Sequence, residues 1–307
     1  MRFFNTAGPV NCNKHYCLSP LNRINLPEIL HLIEQEKYFI LHAPRQTGKT
    51  SSLLALMEYL NQEGTYKCLY INVESAQGAR EDVYRGIRAI LGEMSDRAAM
   101  FLHDDALENM CQEILTQKGE DIALNASISR WCAQNTKPIV LLIDEIDSLI
   151  GDTLISVLRQ LRGGYDKRSS QLFPQSIVLC GLRDIRDYRI HSGKEKSIIT
   201  GGSAFNIKAK SLKIGDFSKE EIERLYMCHT AETGQVFDRK AIDLVWEYSE
   251  GQPWIVNAFA YEVCFEMEGG KDRSVVITGE MIENAIERII LRRETHIDQL
   301  VDKLSEE

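Results

Sequence analysis

The residues of this chain best suited to chemistry close a short loop, Ala43-Pro44-Arg45-Gln46-Thr47-Gly48-Lys49-Thr50. The loop lies between the apolar run Tyr38 to Leu41 and a stretch with helical apolar spacing, Leu53, Leu54, Leu56, Met57 and Leu60. A strand that feeds a tight loop and then at once a helix aims backbone N–H groups and the positive end of a helix dipole at one spot. That is a cradle for the phosphates of a nucleoside triphosphate, the Walker A pattern. Gly48 lets the backbone approach closely, Lys49 brings a point charge to the β and γ phosphates, and the Thr50 hydroxyl is a ligand for Mg²⁺. Pro44, Arg45, Gln46, Thr47 and Ser51 complete the expected nucleotide contacts. Where the usual pattern has its first glycine this chain has Ala43, which is acceptable if its φ is negative.

A second constellation completes the first. Ile139-Val140-Leu141-Leu142-Ile143-Asp144-Glu145 is an apolar strand that ends in two carboxylates, the Walker B pattern. At the carboxyl end of a central strand, Asp144 is placed to bind Mg²⁺ through water, and Glu145 to orient and polarise the water that attacks the γ-phosphate. An apolar strand ending in a solvated acid is common by itself. Its specificity comes from following the lysine loop in the order an ATPase requires.

The elements that must position these groups alternate. Strands are expected at 38–42, 66–73, 139–143 and 176–180, and a fifth within 205–214. Helical patterns follow 26–35, the stretch after Thr50, 81–94 and 104–134. Such alternation gives an α/β fold, a mostly parallel sheet with helices on both faces. The run Ile139 to Ile143 has no in–out alternation, as a strand covered on both sides requires. Near Gly215 the character changes. Ser218-Lys219-Glu220-Glu221 is a capping box, and Met281, Ile282, Ala285, Ile286, Ile289 and Ile290 repeat at helical spacing. The expected organisation is an irregular N-terminal arm (1–25) beside the nucleotide pocket, a P-loop α/β domain (26–214) and a smaller helical domain (215–307).

Bulk properties narrow the classes. The chain has 307 residues and a formal net charge of −9, which argues against nucleic acid or an anionic membrane surface as a partner unless a local basic patch intervenes. Its eight cysteines form no CxxC pair, and Cys68 and Cys180 lie in apolar strand candidates, so reduced core thiols are expected. The N-terminus lacks an apolar signal core, and Ile139 to Ile143 is far too short to span a bilayer. A cytoplasmic protein is expected. The seven histidines, His42, His229 and His296 among them, show no metal spacing, and no zinc or haem site is indicated.

The segments "HAPRQTGKT" and "LLIDEIDSL", preceded by "FNTAGPV" and "YCLSPL" and followed by "LCGLRDIRDYR", "HTAETGQ", "GQPWIVNA" and "RRETHID", carry a resemblance to the bacterial AAA-like ATP-binding proteins. That family is similar to the origin-recognition and STAND branch of P-loop ATPases, and the likeness runs from about Phe3 to Leu300. It implies a P-loop ATPase of the additional-strand, catalytic-glutamate class with a C-terminal helical lid, using ATP and Mg²⁺. It also implies a sensor role for Arg183, just past the strand at 176–180. A guanidinium there suits γ-phosphate recognition, although pairing with Asp184 or Asp187 at the surface is the competing reading. Gly251-Gln252-Pro253 resembles the motif that closes the lid over adenine and ribose, while a proline is equally a good helix start. Arg183, Arg186, Arg189, Lys194 and Lys196, offset by Asp184, Asp187 and Glu195, would suit either an arginine finger for a neighbouring subunit or a solvated surface; the same holds for Arg292-Arg293. Tyr16 and Tyr38 are candidates to stack on adenine or to pack in a core.

The expected catalytic set is therefore Lys49, Glu145 and Arg183. The functional expectation is ATP hydrolysis coupled to a conformational change or to assembly, with a second copy or another protein as partner. The alternatives are a slow-turnover, nucleotide-gated switch and, by analogy alone, a DNA-associated loader.

Overall fold

The computed structural model describes residues 1–193 and 197–292. They fall into two compact units. One comprises Ile24–Arg45 and Lys49–Ile214; the other comprises Met1–Arg23, the loop tip Gln46–Gly48 and the chain from Gly215 on.

The first unit is built on β1 (Tyr38–His42), β2 (Lys67–Asn72), β3 (Ile139–Asp144), β4 (Ser176–Gly181), a short pair β5 (Arg189–Ser192) and β6 (Ser197–Thr200), and β7 (Lys208–Lys213). Five of these form one parallel sheet in the order β2-β3-β4-β1-β7. β4 thus lies between the strand that feeds the lysine loop and the strand that ends in acids. Side chains alternate across the sheet with a period of two. Tyr38, Ile40, Leu69, Ile71, Leu141, Ile143, Ile177 and Leu179 join one apolar core. Phe39, Leu41, Cys68, Tyr70, Val140, Leu142, Val178 and Cys180, buried too, have the opposite parity. Asp144 shares that second parity, and this sends its carboxylate toward the lysine-loop side.

Helices flank the sheet: α1 (Leu26–Glu34), α2 (Lys49–Glu63), α3 (Val83–Leu102), α4 (Ala106–Lys118), α5 (Glu120–Gln134), α6 (Gly151–Lys167) and the short α7 (Gly201–Ala204). The helical pattern expected across 104–134 is interrupted at Gly119, whose φ of +75° ends α4 and opens α5. Helix α6 and the antiparallel pair β5–β6 were not anticipated, the pair because its strands are only four residues long each. Arg189 and His191 lie in β5; Lys194, Glu195 and Lys196 fall outside the described residues.

The second unit contains α8 (Lys219–Thr233), α9 (Arg239–Ser249), α10 (Pro253–Tyr261), α11 (Glu268–Lys271) and α12 (Gly279–Leu291). Its first helix is held by the full capping box, Ser218 and Glu221 each bonding the other's backbone N–H. The arm is part of this unit's core. Phe4 and Tyr16 are buried with Tyr226, Val256 and Phe259, and the Trp254 indole donates to the Thr6 carbonyl at 2.9 Å. Cys12 and Cys17 form a disulfide, which corrects the expectation of reduced thiols for that pair. Cys68, Cys111, Cys132, Cys180 and Cys264 are free and buried. Among the described residues no helix is long and apolar enough to cross a membrane.

Candidate nucleotide site

The lysine loop leaves β1 at His42 and re-enters helix at Lys49. Ala43 is buried, does not adopt a positive φ, and donates its N–H to the Gly181 carbonyl at 3.2 Å, so an alanine sits there without strain. The loop turns through left-handed backbone at Gln46 (φ +61°) and Gly48 (φ +85°), the second being the position at which a side chain would be strained. Pro44 and Arg45 are exposed, Thr47 is buried and Ser51 is half-buried on the first turn of α2. Lys49 is 5% exposed, and its ammonium folds back over the loop to donate to the carbonyls of Ala43 (3.2 Å) and Pro44 (3.1 Å). Among the described residues Lys49 forms no ion pair, and a buried ammonium hydrogen-bonded to neutral carbonyls is poised for an anion.

Opposite it, Asp144 is 0% exposed and fully engaged. Its Oδ2 accepts from the Thr50 hydroxyl (2.7 Å) and the Tyr70 phenol (3.1 Å), and its Oδ1 from the Glu145 N–H (3.0 Å). The structure therefore brings the helix that starts at Lys49 and the strand that ends at Asp144 into direct contact. Glu145 takes a left-handed conformation (φ +57°, ψ +40°), costly for a residue with a Cβ and of a kind that clusters at functional sites. Burial pushes its carboxyl pKa up, the neighbouring Asp144 charge adds to this, and Lys49 opposes it. The Cys180 thiol is raised by the same two causes, burial first and then Asp144.

At the end of β4, Asp147 accepts the Leu182 N–H at 3.2 Å and so ties the segment after Glu145 to the segment that carries Arg183. Gly181 makes this possible, since a Cβ there would lie 2.6 Å from the Asp147 carboxylate oxygen. Arg183 is exposed and, among the described residues, pairs with no carboxylate. The competing surface pairing is taken by its neighbour. Asp184 bonds Arg186 at 3.0 Å and Lys208. Burial works against the Asp184 charge, but the Arg186 amide, Lys208 and the Arg186 guanidinium outweigh it and hold the carboxyl well below the usual carboxylate range.

For three residues with open alternatives the structure decides against a role at the nucleotide. Tyr16 is 1% exposed, its ring enclosed by Phe4 and His229 at centroid distances of 4.9 and 5.2 Å, and therefore has no face for adenine. Tyr38 is a core residue of the sheet unit whose hydroxyl donates to the Pro174 carbonyl at 2.9 Å. Arg292 is committed to an internal pair with the buried Glu262 at 2.7 Å, joined by Arg288, so it is no free finger; Arg293 and His296 lie outside the described residues. His229 is fully buried among aromatic rings, with burial lowering its pKa. Pro253 starts α10, with Gln252 capping it through the Ile255 N–H at 2.7 Å. Tyr70, Asp147 and Cys180, all against the acid strand's end, were not foreseen as site residues. The parity of Tyr70 with Asp144 is visible only once β2 is known to pair with β3.

Parallel strand order, β4 between β3 and β1, and the loop between β1 and α2 define the P-loop NTPase fold with an additional strand. The chain belongs to the AAA domain family, whose profile matches residues 33–188. Solved structures similar in fold include the Walker-type ATPase of Pyrococcus abyssi, at 15% identity and TM-score 0.58 over 99% of this chain and 79% of that one. Another is the Cdc6p protein of Pyrobaculum aerophilum, at 14% identity and TM-score 0.54 over 88% of this chain and 66% of that one. No curated protein gives a significant match.

Proposed function

We propose that the protein binds ATP with Mg²⁺ and hydrolyses it, coupling nucleotide state to a conformational change or to assembly. The observation that carries this reading is the 2.7 Å contact between Thr50 and Asp144 beside the buried Lys49, which gathers hydroxyl, carboxylate and ammonium where a triphosphate–metal complex needs them. The donor set fits Mg²⁺, a hard cation that takes oxygen ligands and completes its shell with water and phosphate. In this reading Thr50 and Asp144 would hold the metal, which would neutralise phosphate charge. Lys49 and the loop amides from Pro44 to Thr50 bind the phosphates, Glu145 holds and deprotonates the attacking water, and Arg183 registers the γ-phosphate. A cytoplasmic setting suits the five buried free thiols, while the Cys12–Cys17 disulfide argues the other way.

The test pairs two variants. Lys49→Ala abolishes tight ATP binding by calorimetry, whereas Glu145→Gln keeps binding and lowers phosphate release by about 10² to 10⁴. Equal loss of binding in both would overturn these roles.

Arg183, exposed and paired with no carboxylate among the described residues, favours a second reading, a nucleotide-gated switch of the STAND kind with slow turnover and a protein partner.

A further inference from the structure

We propose that Tyr70 is a positioning residue that orients the Asp144 carboxylate for Mg²⁺, an inference that rests on the reading of Asp144 as a metal ligand. Tyr70 is 2% exposed on β2, and its phenol donates to the same Oδ2 that takes the Thr50 hydroxyl. Thr50 has one O–H donor and two lone pairs, so it can ligate a cation and keep its donation to the acid. Tyr70 supplies the second side-chain hydroxyl on that oxygen, from β2 and not from the helix that carries Thr50. Hydrogen bonds to an ionised acceptor in a water-poor site are among the strong ones, and partners of this kind set the direction of a ligating carboxylate.

The ring is itself braced from α3. The Arg97 guanidinium lies 5.4 Å from the Tyr70 centroid and is fixed by Glu93 at 2.7 Å, and Glu93 also accepts the Asn72 N–H at 3.3 Å. Asn72 is the register neighbour of Asp144 across β2–β3. Helix α3 thus supports the acid through a ring and through a strand, although neither Arg97 nor Glu93 touches it.

Tyr70→Phe removes one oxygen and keeps the ring. In the full chain, Mn²⁺ affinity in the presence of ADP is read by electron paramagnetic resonance, and ADP affinity without metal by calorimetry in EDTA. The expected result is metal affinity weakened about tenfold with metal-free ADP affinity unchanged. Arg97→Gln, which leaves the phenol but frees the ring, shifts metal affinity in the same direction by less and serves if Tyr70→Phe fails to fold. Unchanged Mn²⁺ affinity in Tyr70→Phe overturns the proposal, as does an equal loss of metal-free ADP binding, which marks a purely structural role. An unaltered protein that binds ADP but no Mn²⁺ sinks the reading of Asp144 itself, and is told apart because it needs no variant.

Discussion

Asp184, next to Arg183 in the chain, shows how packing around a charged group sets its protonation. It is buried and held by Lys208, Arg186 and the Arg186 amide, and this depresses its pKa. A group whose folded pKa is depressed stabilises the fold above its unfolded value, near 3.9, and loses that contribution as pH falls toward the folded value. Asp184→Asn is therefore expected to lower stability by about 2 kcal/mol at pH 7, the scale of a hydrogen bond to a charged group, with the gap from the unaltered protein closing below about pH 4. Urea midpoints across pH read this directly; a gap constant from pH 7 to pH 3 would count against it. Sequence offered Asp184 or Asp187 as a partner for Arg183; in the structure Asp184 is taken by Arg186 and by Lys208 of β7.

At the scale of elements, local signals were strong where the chemistry is local. The capping box at Ser218 and the strand ending in Asp144 and Glu145 appear where their residues indicate, because caps and runs of β-branched residues act within a few residues. Gly251 illustrates what such signals leave out. Its φ is +82°, and a Cβ there would stand 2.0 Å from the Phe217 carbonyl oxygen, in a turn where the Phe217 N–H bonds the Gly251 carbonyl at 2.8 Å. The Gly251-Gln252-Pro253 stretch thus has a role within the helical unit: close approach at Gly251, a cap at Gln252 and a helix start at Pro253. Gly251→Ala is expected to destabilise that unit by about 2 to 3 kcal/mol through strain and displaced backbone. Hydrogen exchange at α8 and α10 is the measurement, and unchanged protection there would refute it.

For the whole molecule, the two functional readings differ in what nucleotide does to assembly and stability. A ligand that binds only the native state adds about 2.7 kcal/mol at a hundred times its dissociation constant. Melting should therefore rise with Mg²⁺–ATP in unaltered protein and not in Lys49→Ala. Size-exclusion chromatography with ATP, with ADP and without nucleotide separates the readings, since a monomer in all three states with brisk phosphate release excludes the switch. How far each conclusion was legible beforehand follows from range. The phosphate loop, the acid pair, the parallel α/β class and the helical C-terminal region are written in spacing, because strand, loop and helix signals act over a turn or two. Tertiary structure alone decided that Tyr70 reaches Asp144 from the next strand, that Asp147 clasps the end of β4, and that Tyr16 and Arg292 are already committed elsewhere. Those contacts depend on strand order and on which side chains share a buried face, quantities fixed by the whole chain's packing and carried by no short stretch of it.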